Sequence, residues 1–312
     1  MATKKTLKKN NSPKQAPPSI GLVGRVNEII RIRACVRAGR NLLLEGPVGV
    51  GKTHLALAVT RELGFPVFRV DGDQRYTEQK LAGGFDPPLV LRKGYGWQSF
   101  VPGPLVEAMR SGGVLFINEL NRLPEGVQNV LLPSIDERIL EIPRLGRVEA
   151  KPGFQVIATQ NPKEFVATSH LSEAILDRFE LVTLDYQSEP EERAIVSQAI
   201  RVPSADNALI QAAVRLVRLT RGHPRVKRGA SVRAAIAIAA IAHELGEKRF
   251  EEAFRIAVEL ALPTRIEIER DSESEHSHHE EVLNLIQEWV KAALAGESAE
   301  FVAKSEEQKK NF

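Results

Sequence analysis

The chain has 312 residues, of which 43% are hydrophobic and 27% are charged, a composition typical of a globular protein with about two domains. Its net charge of +3 is too small to imply a nucleic-acid partner by itself, and its longest apolar run, residues 234–242, is too short to span a bilayer. The single cysteine, Cys35, excludes an internal disulfide framework and is typical of a reducing compartment, so we expect a cytoplasmic protein.

Residues 1–19 are rich in lysine, asparagine, proline and glutamine, and large apolar side chains are scarce among them. This composition predicts a disordered basic arm. Because no aromatic residue separates the lysines, a solvated tail is favoured over a segment that binds nucleic acid.

Strands and helices alternate from residue 20 to about residue 188. Strands that alternate with helices are typical of a parallel sheet covered on both faces, so residues 20–188 are interpreted as an α/β domain. Short apolar runs predict five strands: Leu42–Glu45, Val67–Asp71, Val114–Asn118, Gln155–Gln160 and residues 181–185.

From residue 189 onward the sequence predicts helices and no further strands. Residues 189–265 are interpreted as a small all-helical domain. Four segments in it have amphipathic spacing: 193–200, 205–220, 229–245 and 249–260. Residues 266–312 are interpreted as an acidic, histidine-rich linker, a last helix at 280–295 and a polar tail. Because no cysteine accompanies its histidines, a solvated linker is favoured over a metal site; these histidines are His276, His278 and His279.

The most informative motif is the run of eight residues that follows the first strand. Residues 46–53 read GPVGVGKT, which matches the phosphate-loop pattern G-x-x-x-x-G-K-T between a strand and a helix. The backbone of such a loop binds phosphate oxygens, Lys52 is expected to reach the β- and γ-phosphates of ATP, and the Thr53 hydroxyl is expected to ligate Mg²⁺. The predicted nucleotide-binding residues of the loop and the helix start are Gly46, Pro47, Val48, Gly49, Val50, Gly51, Lys52, Thr53 and His54.

A second motif ends the third predicted strand, where Asn118 and Glu119 follow an apolar run. In the usual pattern an aspartate binds the hydration shell of Mg²⁺, and the glutamate after it polarises the attacking water. Glu119 is therefore the predicted catalytic carboxylate. Asn118 can still accept a hydrogen bond from metal-bound water, but it lacks the negative charge, so we expect weaker Mg²⁺ binding. Alone, Asn118 would be interpreted as a cap at the strand end; beside Glu119 and after a phosphate loop, metal binding is favoured.

These motifs belong to a longer set over about residues 20–261, and the set resembles the MoxR family of AAA+ ATPases. The resemblance implies a P-loop AAA+ core with a parallel sheet, followed by a small all-helical lid. The family usually has aspartate at position 118 and proline at position 232, where this chain has Asn118 and Val232. The phrases that carry the resemblance are VGR at 23–25, LLEGPVGVGKT at 43–53, FVPGPL at 100–105, NELNR at 118–122, ATQNP at 158–162, LDRF at 176–179 and GASVR at 229–233.

The resemblance also implies three residue roles. Asn161 matches sensor 1, whose amide bonds the attacking water or the γ-phosphate. Arg178 matches the arginine finger, which stabilises charge on the ATP of a neighbouring subunit. Arg233 matches sensor 2, which reaches from the lid to the γ-phosphate. Without the family context, these residues would be interpreted as a turn asparagine, a surface ion-pair residue and a solvated helix residue.

Two inserted segments interrupt the α/β pattern. Residues 83–101 contain one Gly-Gly pair and one Pro-Pro pair. They resemble the helix-2 insert of the MoxR, magnesium chelatase and dynein-like branch, whose loops face the central pore of a ring. Residues 138–150 predict a β-hairpin. Tyr95, Trp97 and Arg144 are candidates for substrate contact there; packing of the aromatic rings within the insert is an equally supported interpretation.

The motifs together predict a Mg²⁺-dependent ATPase. By resemblance, we expect a homo-hexamer that remodels or matures a partner protein complex, often through a partner with a von Willebrand A domain. Two alternatives remain open. With Asn118 in place of aspartate, one alternative is a nucleotide-gated scaffold with weak hydrolysis, although the retained Glu119, Asn161 and Arg178 argue against it. A DNA-associated AAA+ motor is the other, although no nucleic-acid-binding motif supports it.

Overall fold

The structure is a computed structural model, and it describes residues 21–161, 171–200, 207–246, 249–269 and 277–296. The predicted N-terminal arm, His276 and the polar C-terminal tail lie outside the described residues.

Five parallel strands form the central sheet, in the order β2-β5-β8-β1-β9. Their bounds are β1 Leu42–Glu45, β2 Val67–Asp71, β5 Val114–Asn118, β8 Gln155–Gln160 and β9 Glu180–Thr183. Four of these match the predicted strands, whereas the fifth was expected at 181–185. It begins and ends earlier because it pairs residue for residue with the four residues of β1, from Leu42 opposite Glu180 to Glu45 opposite Thr183.

Apolar side chains on both faces of the sheet explain why its strands read as continuous hydrophobic runs. Leu42 and Leu44 pack with α1 and α2 on one face, in a cluster that also contains Phe116. Leu43 points to the opposite face, where the cluster includes residues of α5 and α6. Because both faces are covered, polar side chains of these strands concentrate at the strand ends.

The described residues form twelve α-helices, of which the first seven belong to the sheet domain and the last five follow it. They are α1 Val26–Arg37, α2 Lys52–Glu62, α3 Glu78–Ala82, α4 Pro87–Lys93, α5 Pro104–Ser111, α6 Glu125–Asp136, α7 Glu173–Leu176, α8 Glu189–Ile200, α9 Asn207–Gly222, α10 Val232–Glu244, α11 Phe250–Ala261 and α12 His278–Ala295. The last of them begins at a capping box between Ser277 and Glu280 and ends at Gly296 in the left-handed conformation.

Helices α8 to α12 share one hydrophobic cluster, in which Trp289 of α12 is 1% exposed. The prediction that strands end at residue 189 is wrong, because β10 Val226–Arg228 and β11 Glu267–Ile268 form a short antiparallel pair there. Its apolar members, Val226 and Ile268, pack against the helical cluster, so burial holds together strands that are too short to pair stably alone.

The two predicted inserts are both present as hairpins. In the first, β3 Gly83–Phe85 pairs with β4 Phe100–Pro102 around α4. In the second, β6 Ile139–Ile142 pairs with β7 Gly146–Glu149, which confirms the predicted hairpin.

The aromatic side chains of the first insert pack against one another. Tyr95 and Phe100 each make an edge contact with Phe85, and Trp97 makes one with Phe100. The guanidinium of Arg144 lies 4.4 Å from the Tyr95 ring centroid, which joins the two inserts. Tyr95 and Trp97 remain 50% and 45% exposed, so internal packing leaves about half of each ring at the surface.

A buried ion pair network connects the sheet domain to the helices that follow it. Glu192 of α8 accepts hydrogen bonds from Arg218 at 3.2 Å and from Arg221 at 2.8 Å, and its side chain is 3% exposed. The Arg221 guanidinium lies 3.8 Å from the ring centroid of Tyr186, in the segment that joins β9 to α8. The ion pairs therefore join α8 to α9, and the contact with Tyr186 joins α9 to the segment that follows β9.

No helix in the described part of the chain is both long enough and apolar enough to cross a membrane.

Candidate nucleotide site

The predicted phosphate loop connects the carboxyl end of β1 to the start of α2. Gly49 within it has a φ of 81°, and a Cβ at that position would lie 2.3 Å from the Ser231 side chain. Glycine is therefore required there both for the left-handed backbone and for the close approach. Ser231 is the residue immediately before α10, so the start of this helix lies directly against the loop.

The side chain of Lys52 bonds to the loop that precedes it. Its Nζ donates hydrogen bonds to the carbonyl oxygens of Gly46 at 2.6 Å and Pro47 at 2.9 Å. Two neutral acceptors therefore hold the ammonium group, and its positive charge lies at the loop, where the sequence predicts phosphate groups.

Thr53 and Asn118 come together although 65 residues separate them. The Thr53 hydroxyl donates to Asn118 Oδ1 at 2.8 Å, and the hydroxyl of Thr159 donates to the same oxygen at 3.1 Å. The Thr53 and Asn118 oxygens are the donor type that Mg²⁺ prefers, and they converge beside the phosphate loop, so the residues present fit the predicted metal.

Glu119 lies directly after these oxygens in an unusual backbone conformation. Its φ and ψ are 60° and 61°, and its N–H donates to Thr159 Oγ1 at 2.9 Å. A non-glycine residue in the left-handed region is commonly strained, and such strain concentrates at functional sites. The Glu119 carboxylate accepts a hydrogen bond from Arg122 at 2.7 Å and is 32% exposed.

Asp71 completes this group of polar side chains and was not anticipated. It ends β2 and lies opposite Asn118 in the parallel register. Its Oδ1 accepts from Asn118 Nδ2 at 3.1 Å and from Arg69 Nη2 at 2.6 Å. The hydrogen bonds from Arg69 hold the pKa of the Asp71 carboxyl below its ordinary value, so it is ionised at neutral pH. The only signal in the sequence is that the second predicted strand also ends on a polar residue.

Asn161 follows β8, which lies between β1 and β5 in the sheet. The carboxyl end of β8 is therefore between the phosphate loop and Glu119, and Asn161 is 7% exposed there. Arg233 is the second residue of α10, whose start lies against Gly49, and its side chain is exposed. The fold thus places both predicted sensor residues at the edge of the sheet where the phosphate loop lies, beyond the carboxyl ends of the strands.

His54 is exposed at the start of α2, and no described contact connects its side chain to the loop or to Asn118.

Arg178 is the exception among the predicted site residues. Its Nε donates to the Asp136 carboxylate at 2.6 Å, and its guanidinium also bonds the carbonyl of Ala174. Asn41, which precedes β1, donates to the Arg178 carbonyl at 3.3 Å. Arg178 therefore lies at the amino ends of the strands, while the phosphate loop follows their carboxyl ends. The four residues of β1 separate the two edges by about 13 Å.

Comparison with known proteins identifies the domain that contains this site. Residues 41–179 match the AAA domain of the dynein-related subfamily. A gas vesicle ATPase, GvpN of Haloferax mediterranei, is 32% identical over 207 residues, which cover 61% of this chain and 59% of the relative. The chain thus aligns with about three fifths of that relative's length.

Relatives of more similar length come from staphylococci. An uncharacterized protein of Staphylococcus epidermidis is 28% identical over 248 residues, covering 78% of this chain and 90% of the relative. One of Staphylococcus haemolyticus is 32% identical over 183 residues, covering 54% of this chain and 69% of the relative.

Among solved structures, the Holliday junction branch migration motor RuvB of Thermotoga maritima superposes with a TM-score of 0.53 at 19% identity. The match covers 89% of this chain and 83% of RuvB. At this identity the likeness concerns the fold alone, and it confirms the predicted P-loop AAA+ fold.

The backbone around Glu119 generates a first prediction. Gly72 donates its N–H to the Asn118 carbonyl at 2.7 Å, and a Cβ at Gly72 would lie 2.1 Å from the Glu119 carbonyl oxygen. Gly72→Ala should displace Glu119 and lower the steady-state rate of ATP hydrolysis by roughly 10- to 100-fold.

The control for this substitution is Gly84→Ala, because a Cβ at Gly84 would meet nothing within 4 Å. That variant should retain the full rate. A Gly72→Ala protein that hydrolyses ATP as fast as the unmodified chain would show that the approach of Gly72 to Glu119 does not matter for catalysis.

Proposed function

Since the chain belongs to the AAA+ ATPases and carries an AAA domain of the dynein-related subfamily, we propose that it binds Mg²⁺ and ATP and hydrolyses ATP in a ring to remodel a partner protein. The AAA domain of the dynein-related subfamily is shown by comparison, whereas the MoxR type, the metal, the reaction partners and the ring are proposals. The observation that carries the proposal is the convergence of Thr53, Asn118 and Glu119 beside the phosphate loop.

Each residue of this group has a chemical task in the proposed reaction. Lys52 would release its two carbonyl partners and bind the β- and γ-phosphates as a point charge. Thr53 and the Asn118 carbonyl would hold the metal and its hydration shell. When bound, Mg²⁺ supplies positive charge that polarises the phosphoryl group. Glu119 would accept a hydrogen bond from the attacking water, for which its carboxylate must be shared with or released by Arg122.

The position of Arg178 supports action across a subunit boundary. Its backbone lies at the opposite edge of the sheet from the phosphate loop of its own chain. An arginine that stabilises the transferred phosphoryl group must reach the nucleotide itself. Arg178 can therefore serve only the ATP of another chain, and this role requires an oligomer. By family resemblance the oligomer is a homo-hexamer.

Remodelling of a partner would use the two inserted hairpins. Tyr95 and Trp97 are half exposed, and Arg144 connects the inserts. The contact between Ser231 and Gly49 links the helical part to the loop, so nucleotide exchange and lid movement would be coupled. We further propose a cytoplasmic location and a partner with a von Willebrand A domain, both on family resemblance; a nucleic-acid partner is not part of the proposal.

A second candidate function rests on Asn118. The amide that replaces a carboxylate removes one negative charge beside the metal, which weakens Mg²⁺ binding. A nucleotide-gated scaffold would use the same loop but would hydrolyse ATP poorly. The rate of ATP hydrolysis at saturating Mg²⁺ distinguishes the two candidates.

The phosphate loop is tested by Lys52→Ala. Without the ammonium, the affinity for ATP in calorimetry should fall below detection, because the charge facing the β- and γ-phosphates is lost. Lys80→Ala, on the exposed surface of α3, is the control and should bind ATP normally. Undiminished affinity in Lys52→Ala would exclude this loop as the nucleotide site.

The trans action of Arg178 is tested by mixing two inactive variants. Arg178→Ala chains keep Glu119, and Glu119→Gln chains keep Arg178, so mixed rings contain some boundaries where both groups are intact. ATPase activity should return on mixing. The double variant mixed with either single variant forms no intact boundary and should stay inactive. If mixed rings form and no ratio restores activity, Arg178 does not act in trans.

A further inference from the structure

The side chain of Asn118 can present either of two chemically different faces to the metal site. Its amide carries an oxygen that only accepts hydrogen bonds and a nitrogen that only donates them. Only the oxygen can receive a hydrogen bond from metal-bound water or approach a cation. An aspartate at this position would need no such choice, because both of its oxygens are equivalent.

The structure orients the oxygen toward Thr53. Asn118 Oδ1 accepts from Thr53 and Thr159, and Asn118 Nδ2 donates to Asp71 Oδ1 at 3.1 Å on the other side. The two threonine hydroxyls do not determine this orientation, because a hydroxyl can rotate to donate or to accept.

Asp71 does determine it. An ionised carboxylate accepts only, so a reversed Asn118 amide would place its oxygen against the Asp71 oxygen and lose a charge-assisted hydrogen bond. The parallel register of β2 and β5 places Asp71 opposite Asn118, and Arg69 fixes the carboxylate through contacts at 2.6 Å and 3.0 Å. The strand pairing and the hydrogen bonds from Arg69 therefore both hold the Asp71 carboxylate beside the Asn118 amide.

We propose that Asp71 is a positioning residue that makes Asn118 a usable metal-site residue by holding its carbonyl oxygen toward Thr53. The inference rests on the proposed function, since it concerns the same Mg²⁺–nucleotide site. It explains how a chain with an amide in place of the usual carboxylate retains an acceptor facing the metal. The orientation is supplied by a neighbouring strand, through a residue 47 positions away in the sequence.

Asp71→Asn tests the proposal, with the dissociation constant of a non-hydrolysable ATP analogue as the readout. The constant is measured by calorimetry on the full chain, once with saturating Mg²⁺ and once with EDTA. An asparagine at position 71 accepts either orientation of Asn118, so the Mg²⁺-dependent gain in affinity should fall by about fivefold. The affinity in EDTA should not change, which also verifies that the variant is folded.

The same substitution in an Asn118→Asp chain separates positioning from simple charge. A symmetric carboxylate needs no orienting partner, so Asp71→Asn should there change the Mg²⁺-dependent gain by less than about twofold. The charge control is Asp73→Asn, two residues away, because the Asp73 side chain is 47% exposed and pairs with Arg75. This substitution should have no effect.

Four results would overturn the inference. An equal loss in both backgrounds would mean that Asp71 acts through its charge alone. A loss that persists in EDTA would mean a general structural role, and no loss in the Asn118 chain would mean no role. If the unmodified chain binds no analogue under either condition, the proposed function fails and the inference fails with it; normal binding with an unaffected Asp71→Asn variant overturns only the inference.

Discussion

The parallel arrangement of the five central strands is the constraint on which the rest of the site depends. Parallel pairing brings the carboxyl ends of β1, β5, β8 and β2 to one edge of the sheet. The phosphate loop, Asn161, Glu119 and Asp71 each follow or end one of these strands, and they meet at that edge for this reason. Apolar side chains cover both faces of the sheet, so the strand ends are where polar chemistry is placed without burial of unpaired groups.

The same constraint excludes Arg178 from its own chain's site. Arg178 precedes β9 and therefore lies at the amino edge. Its ion pair with Asp136 fixes it on the surface of α6, away from the phosphate loop. The proposed role of Arg178 in phosphoryl transfer would therefore require the ATP of an adjacent chain.

The helical part contacts the phosphate loop at the start of α10. Ser231, the residue before that helix, lies against Gly49. The Glu192 network with Arg218 and Arg221 anchors α8 and α9, and Arg221 packs on Tyr186 of the connecting segment. In the proposed function, these contacts would couple a change in the loop to movement of the helices.

Local sequence patterns predicted most of the sheet and the whole phosphate loop, because a short apolar run between turn residues specifies a buried strand without reference to partners. They missed β10 and β11, since Val226–Arg228 carries two basic residues and gains its stability from packing. They also missed the Asp71–Asn118 contact, which depends on strand register. The contact of Glu119 with Arg122 could have been predicted from the sequence, because the two residues are only three positions apart.

The decisive measurement is a crystal structure of the assembled protein with Mg²⁺ and a non-hydrolysable ATP analogue. We expect the metal on the Thr53 hydroxyl, a metal-bound water on Asn118 Oδ1 and the Lys52 ammonium bonded to the phosphates instead of to Gly46 and Pro47. We also expect Asn118 Nδ2 to remain bonded to Asp71, and Arg178 of an adjacent chain to face the γ-phosphate. A metal bound away from Thr53, or an Asn118 amide nitrogen turned toward Thr53, would contradict the proposed site.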